Sequence, residues 1–157
     1  MAEMDIDKEL AKLISDHMTE YVIAFAKIID NEVSASQYFI LQTIEESGPK
    51  TSSELAALLG VSLPAITNLT NKLETKGYVE RQVMHEDRRN IRVMITAQGE
   101  SIVQRMLNKH CKLSEILFTS FSPEEKERLA IAYRKMIQVL KLEAGMRAVE
   151  QDEAMEG

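Results

Sequence analysis

Residues 60–99, with the sequence GVSLPAITNLTNKLETKGYVERQVMHEDRRNIRVMITAQG, constrain the fold more than any other part of this chain. A helical pattern begins after Ser62 and ends before Gly77, as expected of a helix with a serine N-cap and a glycine after its last turn. The apolar period then changes from about 3.6 residues to 2 over two short runs, 78–84 and 91–97, which is typical of strands. Because the charged loop between the runs is too long for a two-residue turn, the pattern predicts a helix followed by a projecting β-hairpin.

Helical patterns lie on both sides of this stretch. Ser34 with Gln37 and Thr51 with Glu54 have the spacing of capping boxes, and Ser122 precedes a proline and two glutamates, a further helix start. Six helices are predicted, over about residues 6–30, 35–46, 52–59, 63–75, 97–120 and 123–144. The order of helices and hairpin predicts a mainly α (α+β) fold of winged helix-turn-helix type.

The composition fits one helical domain, and the charge is unevenly distributed. Aromatic residues make up 5% of the 157 residues, with no Trp and nine Met, a profile of helical proteins. The net charge of −6 argues against a nucleic-acid partner when it is taken as a sum. Residues 48–99, however, carry seven Lys and Arg against five Asp and Glu, a balance of +2 that leaves −8 for the remainder. The distribution of charge therefore permits contact with DNA through this segment.

The predicted helix after Ser62 has two different faces. Ile66, Leu69, Thr70 and Leu73 share one face and are expected to pack on the preceding helix. The opposite face carries small or hydrogen-bonding side chains, namely Pro64, Ala65, Thr67, Asn68, Asn71 and Lys72. Such a face suits a helix in the DNA major groove, because short side chains allow close approach and Asn can bond adenine. An ordinary solvated helix face has the same composition, so the helix alone leaves both interpretations open.

The charged loop of the hairpin favours DNA binding. Arg88 and Arg89 would lie at its tip, where one guanidinium can enter a minor groove and the other can bind a phosphate. Asp87 could hold Arg89 in one orientation. A solvated turn or an intrachain ion pair is the alternative for the loop alone. Helix and loop together predict a DNA interface formed by Ser62, Pro64, Ala65, Thr67, Asn68, Asn71, Lys72, Arg88 and Arg89, with Asp87 orienting the wing.

These residues resemble the winged helix-turn-helix of the MarR (multiple antibiotic resistance regulator) family. That family has an Asp-x-Arg signature in the wing before a strand ending Leu-Thr-x-x-Gly; here the matching segments are 87–89, Asp-Arg-Arg, and 95–99, Ile-Thr-Ala-Gln-Gly. The order and length of the elements match over about residues 6–144. One departure is Asn68, since many relatives carry Arg there, and Asn68 points instead to adenine readout.

The resemblance implies a homodimeric transcriptional regulator, most simply a repressor relieved by a small-molecule effector. Residues 34–99 would form the DNA-binding lobe of a single domain spanning 1–157, and residues 6–30 with 100–144 would form a helical dimerisation base. Residues 145–157 would be an acidic tail. Long terminal helices with broad apolar faces support association independently. Two-fold symmetry would require a pseudo-palindromic operator with half-sites about 10 bp apart.

The resemblance also implies an effector, since relatives usually respond to phenolic or lipophilic compounds, or to oxidants through a cysteine. The polar and aromatic candidates for lining a crevice between base and lobe are His17, Tyr21, Tyr38, Gln42, Arg105 and Lys109. Tyr21 and Tyr38 also have core-like spacing, and His17 fits an interhelical contact, so structural roles remain open for all three. Cys111, the single cysteine, is expected to be a small buried hydrophobe, with a redox role as the alternative.

Other classes of function have less support. Some winged-helix folds bind proteins, and a protein–protein interaction module is the alternative to a DNA-binding regulator. The three histidines are scattered, and there is no nucleophile motif, phosphate loop or metal-ligand spacing, so we expect neither an enzyme nor a bound metal or cofactor. The polar first ten residues and the absence of a long apolar run predict a cytoplasmic protein without a membrane partner.

Overall fold

The computed structural model describes residues 5–27, 32–83 and 91–156, and describes side chains as far as Glu143. Its helices and strands, in chain order, are α1 (Ile6–Ala26), α2 (Ala35–Ser47), α3 (Ser52–Leu59), α4 (Leu63–Thr75), β1 (Val79–Val83), β2 (Ile91–Ile95), α5 (Ala97–Leu117) and α6 (Pro123–Glu156). The predicted fold class and order of elements are confirmed.

Side-chain caps begin the helices at the predicted positions. The Thr51 hydroxyl accepts a hydrogen bond from the Glu54 backbone N–H at 3.1 Å, and the Glu54 carboxylate accepts one from the Thr51 backbone N–H at 2.6 Å. Ser62 accepts from the backbone N–H of Ala65 at 3.4 Å. Each cap satisfies backbone donors that have no partner within the helix, which is why local spacing predicts these starts well.

Helix and strand ends agree less well with the sequence-based expectations. The described part of α1 ends at Ala26 and α5 ends at Leu117, short of the predicted residues 30 and 120. The last helix, α6, instead continues to Glu156, so the stretch expected to be an acidic tail is helical. Its residues beyond 144 are mostly Ala, Glu, Met, Arg and Gln, all good helix formers, and a single glycine is not enough to stop the helix.

The hydrophobic core lies within the winged lobe, between α2, α3, α4, the hairpin and the first half of α5. Ile40, Leu41, Leu55, Ile66 and Leu73 are fully buried there. Thr70 is buried among them, and its hydroxyl donates to the backbone carbonyl of Ile66 at 2.9 Å. This core holds α4 firmly by one face and leaves its other face toward solvent.

The hairpin is a two-stranded antiparallel sheet in which Val79 pairs with Ile95 and Val83 with Ile91. The backbone of Lys50 adds an isolated bridge to Val93. The Lys50 nitrogen lies 3.2 Å from the Val93 oxygen, and the Val93 nitrogen lies 2.8 Å from the Lys50 oxygen. Val79 and Val93 are buried, whereas Val83 is 49% exposed and Ile91 45%. The hairpin is therefore anchored at its base, and its described strands are more exposed toward Val83 and Ile91.

Gly99 allows the hairpin to join α5 closely. A Cβ at this position would lie 2.2 Å from the backbone oxygen of Tyr78, which is closer than atoms can approach. The Thr96 hydroxyl accepts from the Gly99 backbone N–H at 3.2 Å and donates to the Gly77 carbonyl at 2.6 Å. The end of β2 and the start of α5 are thereby held against the end of α4.

The helices outside the lobe have little core of their own. No residue of α1 is buried, and its apolar side chains Leu10, Leu13, Met18 and Val22 are about half exposed or more. In α6, Leu140 is 68% exposed. Within the described ranges, none of these helices has a stretch apolar and long enough to cross a bilayer.

Candidate nucleic-acid interface

The helix α4 presents the polar face that the sequence predicts. Ile66, Thr70 and Leu73 are buried. On the opposite side Pro64, Thr67, Asn68, Asn71 and Lys72 are exposed, Ser62 is exposed at the cap, and Ala65 is half-buried. The two faces of the helical wheel are confirmed by burial, while contact with DNA stays a prediction.

A groove of about 760 Å³ runs beside this face, between the start of α3, α4 and the hairpin. Thr67 and Asn71 line it from α4, and Ile91 and Arg92 line it from β2. The hydroxyls of Ser52 and Ser53 at the start of α3 and the side chain of Arg81 on β1 also contribute, none of which the sequence analysis identified as candidates. Polar side chains from α3, α4, β1 and β2 therefore meet at one concave surface beside the predicted recognition helix.

Two arginines of the hairpin are bound to the lobe rather than directed freely outward. Arg81 pairs with the carboxylate of Glu74. Arg92 donates to the backbone oxygen of Pro49 at 3.0 Å and lies 3.7 Å from the carboxylate of Glu54. Hydrogen bonds from Thr51, chiefly from its backbone N–H, lower the pKa of Glu54, so this carboxylate stays ionised opposite the guanidinium.

Lys72 differs from these arginines because it is exposed on α4 and forms no ion pair with any described residue. Its ammonium group is therefore available to a phosphate or a base edge. Asp87, Arg88 and Arg89 lie outside the described residues, so their predicted roles stay predictions.

The predicted effector residues are only partly brought together. His17 and Tyr21 line a cavity of about 300 Å³ between α1, α5 and α6, together with Ser114, Leu117, Phe118 and Tyr133. His17 Nε2 lies 3.4 Å from the Tyr133 hydroxyl, which links α1 to α6. Burial raises the pKa of Tyr21, so its hydroxyl remains a neutral hydrogen-bonding group at the cavity wall.

The other four candidates lie away from this cavity. Tyr38 is buried in the lobe core. Gln42 donates to the Glu46 carboxylate at 3.2 Å, and Arg105 pairs with Glu32. Lys109 is half-buried on α5 and does not line the cavity. This cavity therefore brings together only two of the six candidates, and an effector role stays a prediction for all six. Helical spacing alone does not show which neighbouring helix each face meets.

An aromatic cluster, missed by the sequence analysis, joins the base to the lobe. His110 of α5 stacks on Phe25 with ring centroids 3.9 Å apart, and its Nδ1 lies 2.7 Å from the Tyr21 hydroxyl. Tyr38 of α2 lies against the same imidazole, 6.2 Å between centroids. Burial lowers the pKa of His110, so the neutral ring is favoured.

Cys111 is exposed, and the expectation of a buried cysteine is wrong. Its neighbour His110 faces the aromatic cluster, and consecutive helix positions are about 100° apart around the axis. The helix therefore directs Cys111 to a different side from the His110 ring, and its thiol is exposed. The described residues include no group of three or more His, Cys, Asp or Glu side chains that could hold a metal ion.

Comparisons with known proteins agree on one family. The model of the MarR family matches residues 33–91. An uncharacterised HTH-type transcriptional regulator of Bacillus subtilis (strain 168), YpoP, is 34% identical over 110 residues, which cover 70% of this chain and 78% of that protein. In fold, the chain is similar to a MarR family protein from Bacillus stearothermophilus, with a TM-score of 0.73, 22% identity, and coverage of 89% of this chain and 98% of that one.

A second solved structure concerns regulation by a ligand. It is that of BpsR from Bordetella bronchiseptica, whose DNA binding is regulated by 6-hydroxynicotinic acid. The match has a TM-score of 0.63 and 19% identity, and covers 80% of this chain and 91% of that chain. At this identity the likeness concerns the fold.

Proposed function

This chain belongs to the MarR family of winged helix-turn-helix transcriptional regulators, and from that premise we propose that it is a dimeric repressor whose operator binding is relieved by a small-molecule effector. The observation that carries this proposal is the exposed polar face of α4, which lies beside a groove of about 760 Å³ while its apolar face is buried in the lobe. A helix held in this way can enter a major groove without unfolding. Such a regulator acts where the DNA is, in the cytoplasm.

Residues 34–99 would read DNA. The outward side chains of α4 would contact base edges and phosphates, while Arg88 and Arg89 of the wing would bind the flanking minor groove and backbone. Asp87 would orient Arg89. Lys72, which has no ion-pair partner among described residues, would contact a phosphate or guanine.

The flanking helices, α1 with α5 and α6, would form the dimerisation base, and a second copy of this chain would cover their apolar faces. The side chains of Leu10, Val22 and Leu140 are 48%, 64% and 68% exposed, and a monomer in water has no reason to leave such apolar surfaces uncovered. Symmetric association would place two recognition helices on one face of a duplex.

The effector would occupy the cavity beside His17 and Tyr21. Two tyrosine hydroxyls, an imidazole and the Ser114 hydroxyl meet there with Leu117 and Phe118, a mixture that suits a small aromatic compound bearing a hydroxyl or carboxyl group. The ligand-regulated relative BpsR supports the same class of regulation. A ligand there would contact α1, α5 and α6 together and could change the spacing of the two lobes.

A second candidate mode of regulation is oxidation of Cys111, which the exposure of this thiol favours. In that case peroxide would weaken operator binding by the wild type and leave the Cys111→Ser variant unaffected. Equal resistance of both proteins would remove the redox mode and leave the ligand mode.

The salt dependence of binding tests the DNA-reading proposal. A repressor that makes several phosphate contacts should lose affinity steeply between 50 and 200 mM salt, and Arg89→Ala should reduce the slope of log K against log salt by about 1. Arg128→Ala, on the exposed side of α6, is the matched control and should leave the slope unchanged. A winged-helix module that binds protein would show neither the salt dependence nor the effect of Arg89.

A further inference from the structure

Arg81 of β1 reaches across to the predicted recognition helix and binds three of its residues. Its Nη2 donates to the Thr70 hydroxyl at 2.9 Å and to the Asn71 side-chain oxygen at 2.7 Å, and its Nη1 donates to the Glu74 carboxylate. These three partners span one turn of α4. The guanidinium therefore acts as a fork that fixes one turn of the helix against the wing strand.

The chemistry of this fork decides which way the Asn71 amide points. A guanidinium has only donors, so the atom facing it must be Oδ1 and not Nδ2. The amide nitrogen then lies on the branch of Cγ away from Arg81. No described residue accepts a hydrogen bond from it, and Asn71 is exposed and lines the groove. Among the described residues, the two N–H donors of Asn71 therefore have no acceptor, and its side chain lines the groove.

Asn68, one turn earlier on the same face, has no such restraint. It is exposed and forms no side-chain hydrogen bond with a described residue. Its amide can turn over and present either its oxygen or its nitrogen. The two asparagines of α4 therefore differ in the readout that they can perform.

We propose that Arg81 is a positioning residue that holds Asn71 as a hydrogen-bond donor toward guanine, and thereby sets base preference at one position of each half-site. Guanine presents two adjacent acceptors, N7 and O6, on its major-groove edge, which the two N–H donors of one amide can share. Adenine presents only one acceptor, N7, beside an amino donor, thymine presents the single acceptor O4, and cytosine presents only an amino donor. Because Glu74 neutralises Arg81, the guanidinium acts through Asn71 and not as a phosphate contact. The inference rests on the proposed function of α4 as the recognition helix.

A double-mutant cycle tests the inference on duplexes that the wild type selects from a random pool. At the position governed by Asn71, the wild type should prefer guanine over adenine by about tenfold, the discrimination of one good base contact. Arg81→Ala and Asn71→Ala should each abolish that preference. In the Asn71→Ala background, Arg81→Ala should change it by less than about twofold, because the two side chains act as one unit. Asn68→Ala, the matched control, should leave this position unchanged.

Arg81→Lys keeps the charge and the pairing with Glu74 but cannot span both Thr70 and Asn71, so it should lose the same preference even if Arg81→Ala fails to fold. The salt slope of Arg81→Lys should equal that of the wild type. The inference is overturned if Arg81→Lys retains the preference for guanine. It is also overturned if the Arg81 variants weaken binding to all bases alike and their effect on affinity adds to that of Asn71→Ala. A wild type that selects no duplex would overturn the proposed function and this inference together, whereas an additive cycle on selected duplexes would overturn this inference alone.

Discussion

The winged lobe and the helical base differ in how far they bury their apolar side chains. In the lobe, Ile40, Leu55, Ile66 and Leu73 come from three different helices and are all fully buried. In the base, α1 has no buried residue although its sequence is as apolar. The lobe therefore carries its own core, while most of the described apolar side chains of α1 and α6 stay exposed on one protomer.

This difference separates two tasks of a DNA-binding regulator. A lobe with its own core keeps α4 and the hairpin in one arrangement whether or not DNA is bound. In the proposed dimer, the base would set the distance between two lobes, and small changes at its helix contacts would alter that distance. Stability of the base should depend on protein concentration, whereas local stability of the lobe should not.

The largest expected effect is loss of the dimer when a charge enters the apolar base. Leu140→Glu would bury two unpaired carboxylates in a symmetric interface, so association should weaken by more than about 3 kcal/mol per dimer. Sedimentation analysis at micromolar concentration would show a dimer for the wild type and a monomer for the variant. Gln104→Glu, an exposed position on α5 with the same charge change, should remain dimeric. If Leu140→Glu also stays dimeric, this face is not the interface.

A smaller effect is expected within the lobe. Leu73 is fully buried and Leu58 is 43% exposed, so the two leucines form a matched pair. Leu73→Ala should lower the free energy of unfolding by about 2–5 kcal/mol because it leaves a cavity, while Leu58→Ala should cost less than about 1 kcal/mol. Urea denaturation at fixed protein concentration measures both. Equal losses would show that the lobe core is not organised as described.

The smallest effect concerns pH at the contact between base and lobe. Burial lowers the pKa of His110 in the folded protein. Below the ordinary histidine pKa of about 6.5, the unfolded chain therefore binds a proton at this residue more readily than the folded protein does. The contribution of His110 to stability should be complete above pH 6.5 and should decrease as the pH falls below it. His110→Phe, which keeps an aromatic ring against Phe25, should remove this part of the pH dependence. The control His17→Phe should retain it; an identical pH profile for wild type and His110→Phe would contradict the assignment.

Local features of the chain could be predicted from the sequence, and long-range contacts could not. The caps at Thr51 and Ser62 depend on side chains three residues apart, and the hairpin depends on an apolar period of two, so both are visible in a short window. The fork of Arg81 joins a strand to a helix ten residues earlier in the chain. In the sequence this arginine is one basic residue among seven between 48 and 99.

The contacts of the base could not be predicted from the sequence either, for a different reason. The sequence indicates which side of α5 is apolar but not where α1 and α2 cross it. The expectation that Cys111 is buried rests only on the usual behaviour of a lone cysteine, and the structure exposes this residue. The crossing brings His110 against Phe25 and turns the next residue outward. Similarly, Tyr21 and Tyr38 have equivalent helical spacing, yet only Tyr21 lines the cavity beside α6.

In the proposed dimer, the base brings two recognition lobes to two half-sites of one operator. Selection of duplexes from a random pool by the wild-type protein tests this most directly, because it reveals the half-site and its repetition in one experiment. We predict an inverted repeat with half-site centres about 10 bp apart, one turn of B-DNA. Enrichment of a single unrepeated motif, or of no duplex at all, would contradict the account.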